Sequence, residues 1–134
     1  MKIFILFYFA LVSIMAIFTL PQDKAFQKSI ERGTGLYKKK CAVCHHKKGI
    51  GKGKNFPPLA GSDFLLNNRE ASIKGVKYGF TEPLTVNGNV YKKAMKPVKL
   101  SDTEIADVLN FILNSWGNSD QTMITEAEVA QISE

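Results

Sequence analysis

Every cysteine and histidine of the chain lies in one hexapeptide, Cys41-Ala42-Val43-Cys44-His45-His46. A structural zinc site takes its Cys or His ligands in two separated pairs, and the sequence offers no second pair. A thioredoxin-like dithiol places C-x-x-C at the end of a strand in a βαβ unit, whereas residues 33–40 lead into Cys41 with a helical pattern. A disulfide across two intervening residues closes too small a loop to add much stability. The usual roles of paired cysteines are therefore poor explanations of this pair.

C-x-x-C-H is the attachment pattern of c-type haem, and the spacing has a chemical reason. Residues three apart share one face of a helix, so Cys41 and Cys44 can each form a thioether with one of the two haem vinyl groups. His45 follows at once, and its neutral imidazole can be turned to the iron as the proximal ligand. His46 points about 100° away on a helix and reads as a solvated neighbour. The second axial ligand follows by elimination. Of the four methionines, Met1 and Met15 belong to the N-terminal segment and Met123 to a polar tail, which leaves Met95 in the long connection before Lys96-Pro97. A lone methionine is more often core filler, but beside a haem it becomes the best candidate. His/Met ligation leaves no open coordination position, so such an iron transfers electrons and binds no substrate.

Ile3 to Leu20 is a run of 18 residues without charge, preceded by Lys2 and followed by polar Gln22-Asp23-Lys24. That order is expected of a secretory signal, and the run is just long enough to span a bilayer. Residues 1–22 are therefore expected to be a signal peptide or an N-terminal membrane anchor. Either places the remainder in the periplasm or otherwise outside the cytoplasm, free or held at the inner membrane. With 45% hydrophobic and 22% charged residues in 134, the chain has a globular composition. Residues 23–134 suffice for one domain with a short C-terminal helical extension and are too few for two.

Phe26, Ile30, Gly33 and Tyr37 recur at helical intervals and predict a first helix running into the cysteines. Glycine inside a helix is destabilising by about 0.5–1 kcal/mol relative to alanine, so Gly33 predicts another helix crossing closely there. Ser101-Asp102-Thr103-Glu104 reads as a capping box with Leu100 and Ile105 as its hydrophobic staple. Ile105, Val108, Leu109, Ile112, Leu113 and Trp116 continue it as one buried stripe, with Gly117 as the stop. Gly49, Gly51, Gly53 and Pro57-Pro58 predict an irregular loop. Residues 68–77 predict a short helix, Asn87-Gly88 a hairpin turn within 84–91, and Thr125 to Glu128 a second capping box, with Ile124 and Val129 as staple.

These residues resemble the mono-haem class I cytochrome c family, specifically small bacterial carriers and the related domains attached to terminal oxidases and nitrite reductases. The motifs are Gly33-x-x-Leu36-Tyr37, Cys41-x-x-Cys44-His45, Phe56-Pro57-Pro58-Leu59-Ala60-Gly61-Ser62-Asp63, Met95 before a proline, and Ser115-Trp116-Gly117-Asn118 ending the last family helix. The resemblance implies an all-α fold of three to five short helices around one covalent haem c, with at most a small β-hairpin. It implies that the first and last family helices cross near Gly33 and Tyr37, with Phe111 or its neighbours opposite. It further implies that Pro57, or else Pro58, accepts the second ring N–H of His45, and that Leu59 packs on the haem face. Lys96 between Met95 and Pro97 departs from many relatives.

The formal charge is +6, and its distribution is uneven. Residues 33–62 carry Lys38, Lys39, Lys40, Lys47, Lys48, Lys52 and Lys54 without an acid, and residues 83–101 carry Lys92, Lys93, Lys96 and Lys99 without one. From Leu100 onward there are seven acids and no lysine or arginine. Such asymmetry predicts docking of acidic-faced redox proteins by the lysine-rich edge, and the chain is expected to be a monomer. Nucleic acid is disfavoured by export and by the lack of interleaved aromatics. The expected function is non-enzymatic transfer of single electrons. The alternatives are a membrane-tethered subunit of an oxidase or reductase, a haem peroxidase or sensor in which Met95 dissociates, and a thiol oxidoreductase.

Overall fold

The computed structural model describes residues 24–134, so the expected signal or anchor at 1–22 lies outside the described residues. Helix α1 runs through residues 24–40 and passes, across a single turn residue at Cys41, into α2 (Ala42–His45). A loop then leads to α3 (Asp63–Asn67) and α4 (Arg69–Tyr78), which only Asn68 separates. Strands β1 (Leu84–Val86) and β2 (Asn89–Tyr91) form an antiparallel ribbon with Leu84 opposite Tyr91. Helices α5 (Asp102–Leu113) and α6 (Glu126–Gln131) complete the chain. The fold is all-α with one small ribbon, as expected. Among the described residues the six helical segments make four stretches, because Cys41 and Asn68 only interrupt them.

Helix α5 is the centre of the core. Its start is fixed by the capping box: Ser101 Oγ accepts from Glu104 N, and Glu104 Oε2 accepts from Ser101 N. Ile105, Val108, Leu109, Ile112 and Leu113 are all buried and pack with Tyr37, Leu65 and Ile73. The stripe predicted to reach Trp116 stops earlier, for the helix ends at Leu113 and Trp116 sits in a left-handed turn at φ 54°. Trp116 nevertheless joins the core, its ring 4.9 Å from that of Tyr37 and 5.4 Å from that of Phe111.

The buried face of α1 also differs from the prediction. Ser29, Gly33 and Tyr37 face inward, whereas Phe26 and Ile30 are only half-buried. The cause is polar chemistry on α5. Ser29 Oγ donates to Asp107 Oδ1 at 2.6 Å, and Arg32 reaches both Asp107 oxygens from Nε and Nη2, each at 2.6 Å. The helices approach so closely here that a Cβ on Gly33 would run into the Asp107 carbonyl.

Helix α3 was not anticipated; Ser62 caps it by accepting from Leu65 N at 3.2 Å. Beyond α5 the chain folds back on the core. Asn110 Nδ2 donates to the Ile124 carbonyl and its Oδ1 accepts from Ile124 N, while Ile124 and Val129 are buried. Thr125 caps α6 by accepting from Glu128 N.

Candidate functional site

The two cysteines sit where the backbone completes one further helical turn beyond α1. Cys41 N donates to Tyr37 O, and His45 N donates to Cys41 O, each at 2.9 Å. This turn sets Cys41, Cys44 and His45 on the wall of one cavity of about 570 Å³. The chain then turns sharply at His46, whose φ is 68° and whose carbonyl accepts from the Tyr37 hydroxyl at 2.7 Å.

The glycine- and proline-rich loop is tied back on itself, with Gly51 N donating to His45 O and both Leu59 N and Ala60 N donating to Gly49 O. It thereby brings the Pro57 carbonyl within 2.9 Å of His45 Nδ1, which donates to it. That bond leaves Nε2 as the nitrogen free for a metal. Burial lowers the pKa of His45, against the opposing pull of the Pro57 bond, and so favours the neutral form that can act as a ligand. Phe56 meets the imidazole edge-on with centroids 6.5 Å apart. Leu59 lies on the same cavity and is held from outside by Asn118, whose Nδ2 donates to the Leu59 carbonyl while its Oδ1 accepts from Gly61 N.

Met95 reaches the cavity from the connection after the ribbon. Its N–H and C=O pair with those of Phe80, both at 2.9 Å, so that the methionine is held as in a one-residue sheet. Leu65, Val76, Phe80, Val86, Leu109 and Ile112 make the remaining wall largely apolar. The size is within the roughly 300–1,000 Å³ typical of ligand sites. Two thiols three residues apart, one imidazole, one thioether and apolar walls form a donor set that fits an iron porphyrin attached at its edge. It does not fit a dithiol catalyst. Burial, and secondarily Cys44, push the Cys41 thiol up to about 11, the reverse of the low value that a reactive thiolate requires.

All six residues singled out in the sequence, Cys41, Cys44, His45, Pro57, Leu59 and Met95, thus line one cavity. Phe80, Phe56 and Asn118 were missed as site residues. Asn118 carried a signal in the Trp116-Gly117-Asn118 motif, whereas the backbone pairing of Phe80 with Met95 carried none.

The cytochrome c family matches residues 30–116. The cytochrome c subunit of the quinone alcohol dehydrogenase of Gluconacetobacter polyoxogenes is 34% identical over 102 residues, covering 75% of this chain and 22% of that protein. The corresponding subunit of Gluconobacter oxydans is likewise 34% identical, over 103 residues, 75% of this chain and 21% of its own length. Cytochrome c-552 of Thermus thermophilus is 39% identical over 84 residues, 59% of this chain and 64% of that protein. The chain thus spans about a fifth of the length of the dehydrogenase subunits it matches.

Proposed function

We propose that this chain, which belongs to the cytochrome c family, works outside the cytoplasm as a non-enzymatic carrier of single electrons between redox proteins. Membership brings one haem c joined by thioethers to Cys41 and Cys44, and the bound haem supplies a reversible one-electron couple. The observation that carries the reading is the convergence of Cys41, Cys44, His45 and Met95 on one apolar cavity.

Each residue then has a task. His45 would hold the iron through Nε2, and its Nδ1–H on Pro57 fixes both tautomer and ring plane. Met95, steadied by its backbone pairing with Phe80, would hold it through its sulfur. With both residues holding the iron, the chain itself would supply its protein ligands and leave no place for a substrate, as electron transfer requires and the peroxidase or sensor reading does not. Leu59 and the apolar wall exclude water, a condition that tunes the potential. Exposed Lys40, Lys93, Lys96 and Lys99 line the same cavity and would guide an acidic partner to it.

A second reading, a tethered subunit of a larger redox complex, draws on the likeness to the dehydrogenase subunits and on the uncharged run Ile3 to Leu20. Cell fractionation together with the N-terminal sequence of the mature protein separates the two. The ligand assignment is tested by Met95→His. The covalent haem is expected to remain while the reduction potential falls, because a second imidazole stabilises the ferric state relative to methionine. Unchanged optical and redox behaviour would overturn it.

A further inference from the structure

The segment carrying Met95 depends on α4, and α4 is held by a part of the chain that no argument about the haem has so far required. Among the described residues, the hydrogen bonds of residues 92–100 run only to the end of α4 and its exit: Met95 with Phe80, and Val98 N to Val76 O at 3.1 Å. Gly79 lies so close that a Cβ there would be 2.5 Å from the Met95 carbonyl.

Side chains of α4 also grip the C-terminal extension. Arg69 donates from Nε and Nη2 to the two Glu128 oxygens at 2.6 and 2.8 Å, and from Nη1 to Asp120 Oδ2 at 3.2 Å. It also reaches the carbonyls of Thr122 and Met123, each at 3.1 Å. Near the far end of α4, Lys77 Nζ donates to the Val129 carbonyl at 2.8 Å and lies 3.2 Å from Asp102 on α5, while the Tyr78 hydroxyl donates to the Ile132 carbonyl at 3.0 Å. Both ends of α4 are thus fastened to residues 120–132, beyond the region that the family matches.

We propose that the C-terminal extension is a brace that fixes α4 and, through it, the position of Met95, with Arg69 as the principal positioning residue. The inference rests on Met95 being the axial donor. An arginine making five hydrogen bonds to two carboxylates and two carbonyls has a rigid, fully used donor fork, which transmits position better than a single flexible contact. Loosening it lets α4 shift and raises the fraction of molecules in which the methionine has left the iron.

The test compares Arg69→Leu with Arg32→Leu in the holoprotein. The second variant removes an ion pair between α1 and α5 and leaves α4 untouched. Affinity of the ferric protein for added imidazole, which must displace methionine, is read together with the Met–iron charge-transfer absorption and the urea midpoint. Arg69→Leu is expected to bind imidazole about tenfold more tightly, in proportion to the methionine-free fraction, whereas Arg32→Leu lowers only the urea midpoint. Equal imidazole affinity in both variants would make the extension a general stabiliser and overturn the proposal. Should Arg69→Leu fail to accumulate, Glu128→Gln weakens the same fork and is read the same way. A wild-type protein without the charge-transfer absorption would overturn the Met95 assignment, and the brace with it.

Discussion

A methyl group on residue 33 would meet the Asp107 carbonyl and come within 2.8 Å of the Phe111 Cβ. Alanine is the better helix former by about 0.5–1 kcal/mol, but overpacking typically costs about 1–3 kcal/mol, so the contact wins. Gly33→Ala is expected to lower stability by about 1–2 kcal/mol, seen as a lower urea midpoint at unchanged slope. A glycine inside a strongly patterned helix made that crossing legible in the sequence. The partner of Ser29 was not legible, because nothing about a serine announces a buried carboxylate 78 residues away. That hydrogen bond, together with the fork of Arg32, turned the polar residue inward and left Phe26 and Ile30 on the flank.

Elements built from local chemistry were the ones most readily read from the sequence. The Ser101 capping box, the Asn87-Gly88 turn and the Thr125 cap all depend on residues within a few positions of each other. Helix α5 was extended too far because Trp116 keeps the period of the stripe although the backbone has already left the helix. Helix α3 is a single capped turn, too short for periodicity to reveal. The anchoring of α6 has a pH dependence of its own. The hydrogen bonds from Arg69, reinforced by its charge, hold the Glu128 carboxyl below the ordinary value of about 4.3. Its contribution to stability is therefore fully present above that value and is lost as pH falls through the lower folded value. Glu128→Gln is expected to show a shallower loss of urea midpoint than the wild type as pH falls below about 4.3, and a smaller midpoint difference from it at the acid end. Parallel profiles would show that the carboxylate contributes nothing.

Over the whole molecule, the two charge regions seen in the sequence behave differently. The eleven lysines of residues 33–62 and 83–101 are exposed, and among the described residues none is paired with an acid. Of the C-terminal acids, Asp102, Asp107, Asp120 and Glu128 are tied to Lys77, Arg32 or Arg69, so the acidic pole is weaker than its count suggests. Docking should therefore be governed by the basic rim. Lys40→Glu with Lys99→Glu is expected to slow electron transfer to an anionic redox protein by about tenfold or more at low salt. The difference should shrink once the screening length falls to about 3 Å near 1 M salt, and a ratio independent of salt would contradict steering. Cys41, Cys44, His45 and Met95 could be singled out because cysteine, histidine and methionine are scarce enough here for elimination to work, and Pro57 and Leu59 came only from the resemblance, whereas the pairing of Phe80 with Met95 and of Val98 with Val76 runs through backbone atoms and leaves no trace in composition. The central claim, a haem whose iron is closed on both sides by His45 and Met95, is tested most directly by exposing the reduced holoprotein to carbon monoxide at neutral pH. The account predicts an unchanged visible spectrum; prompt formation of a carbonyl spectrum would contradict it.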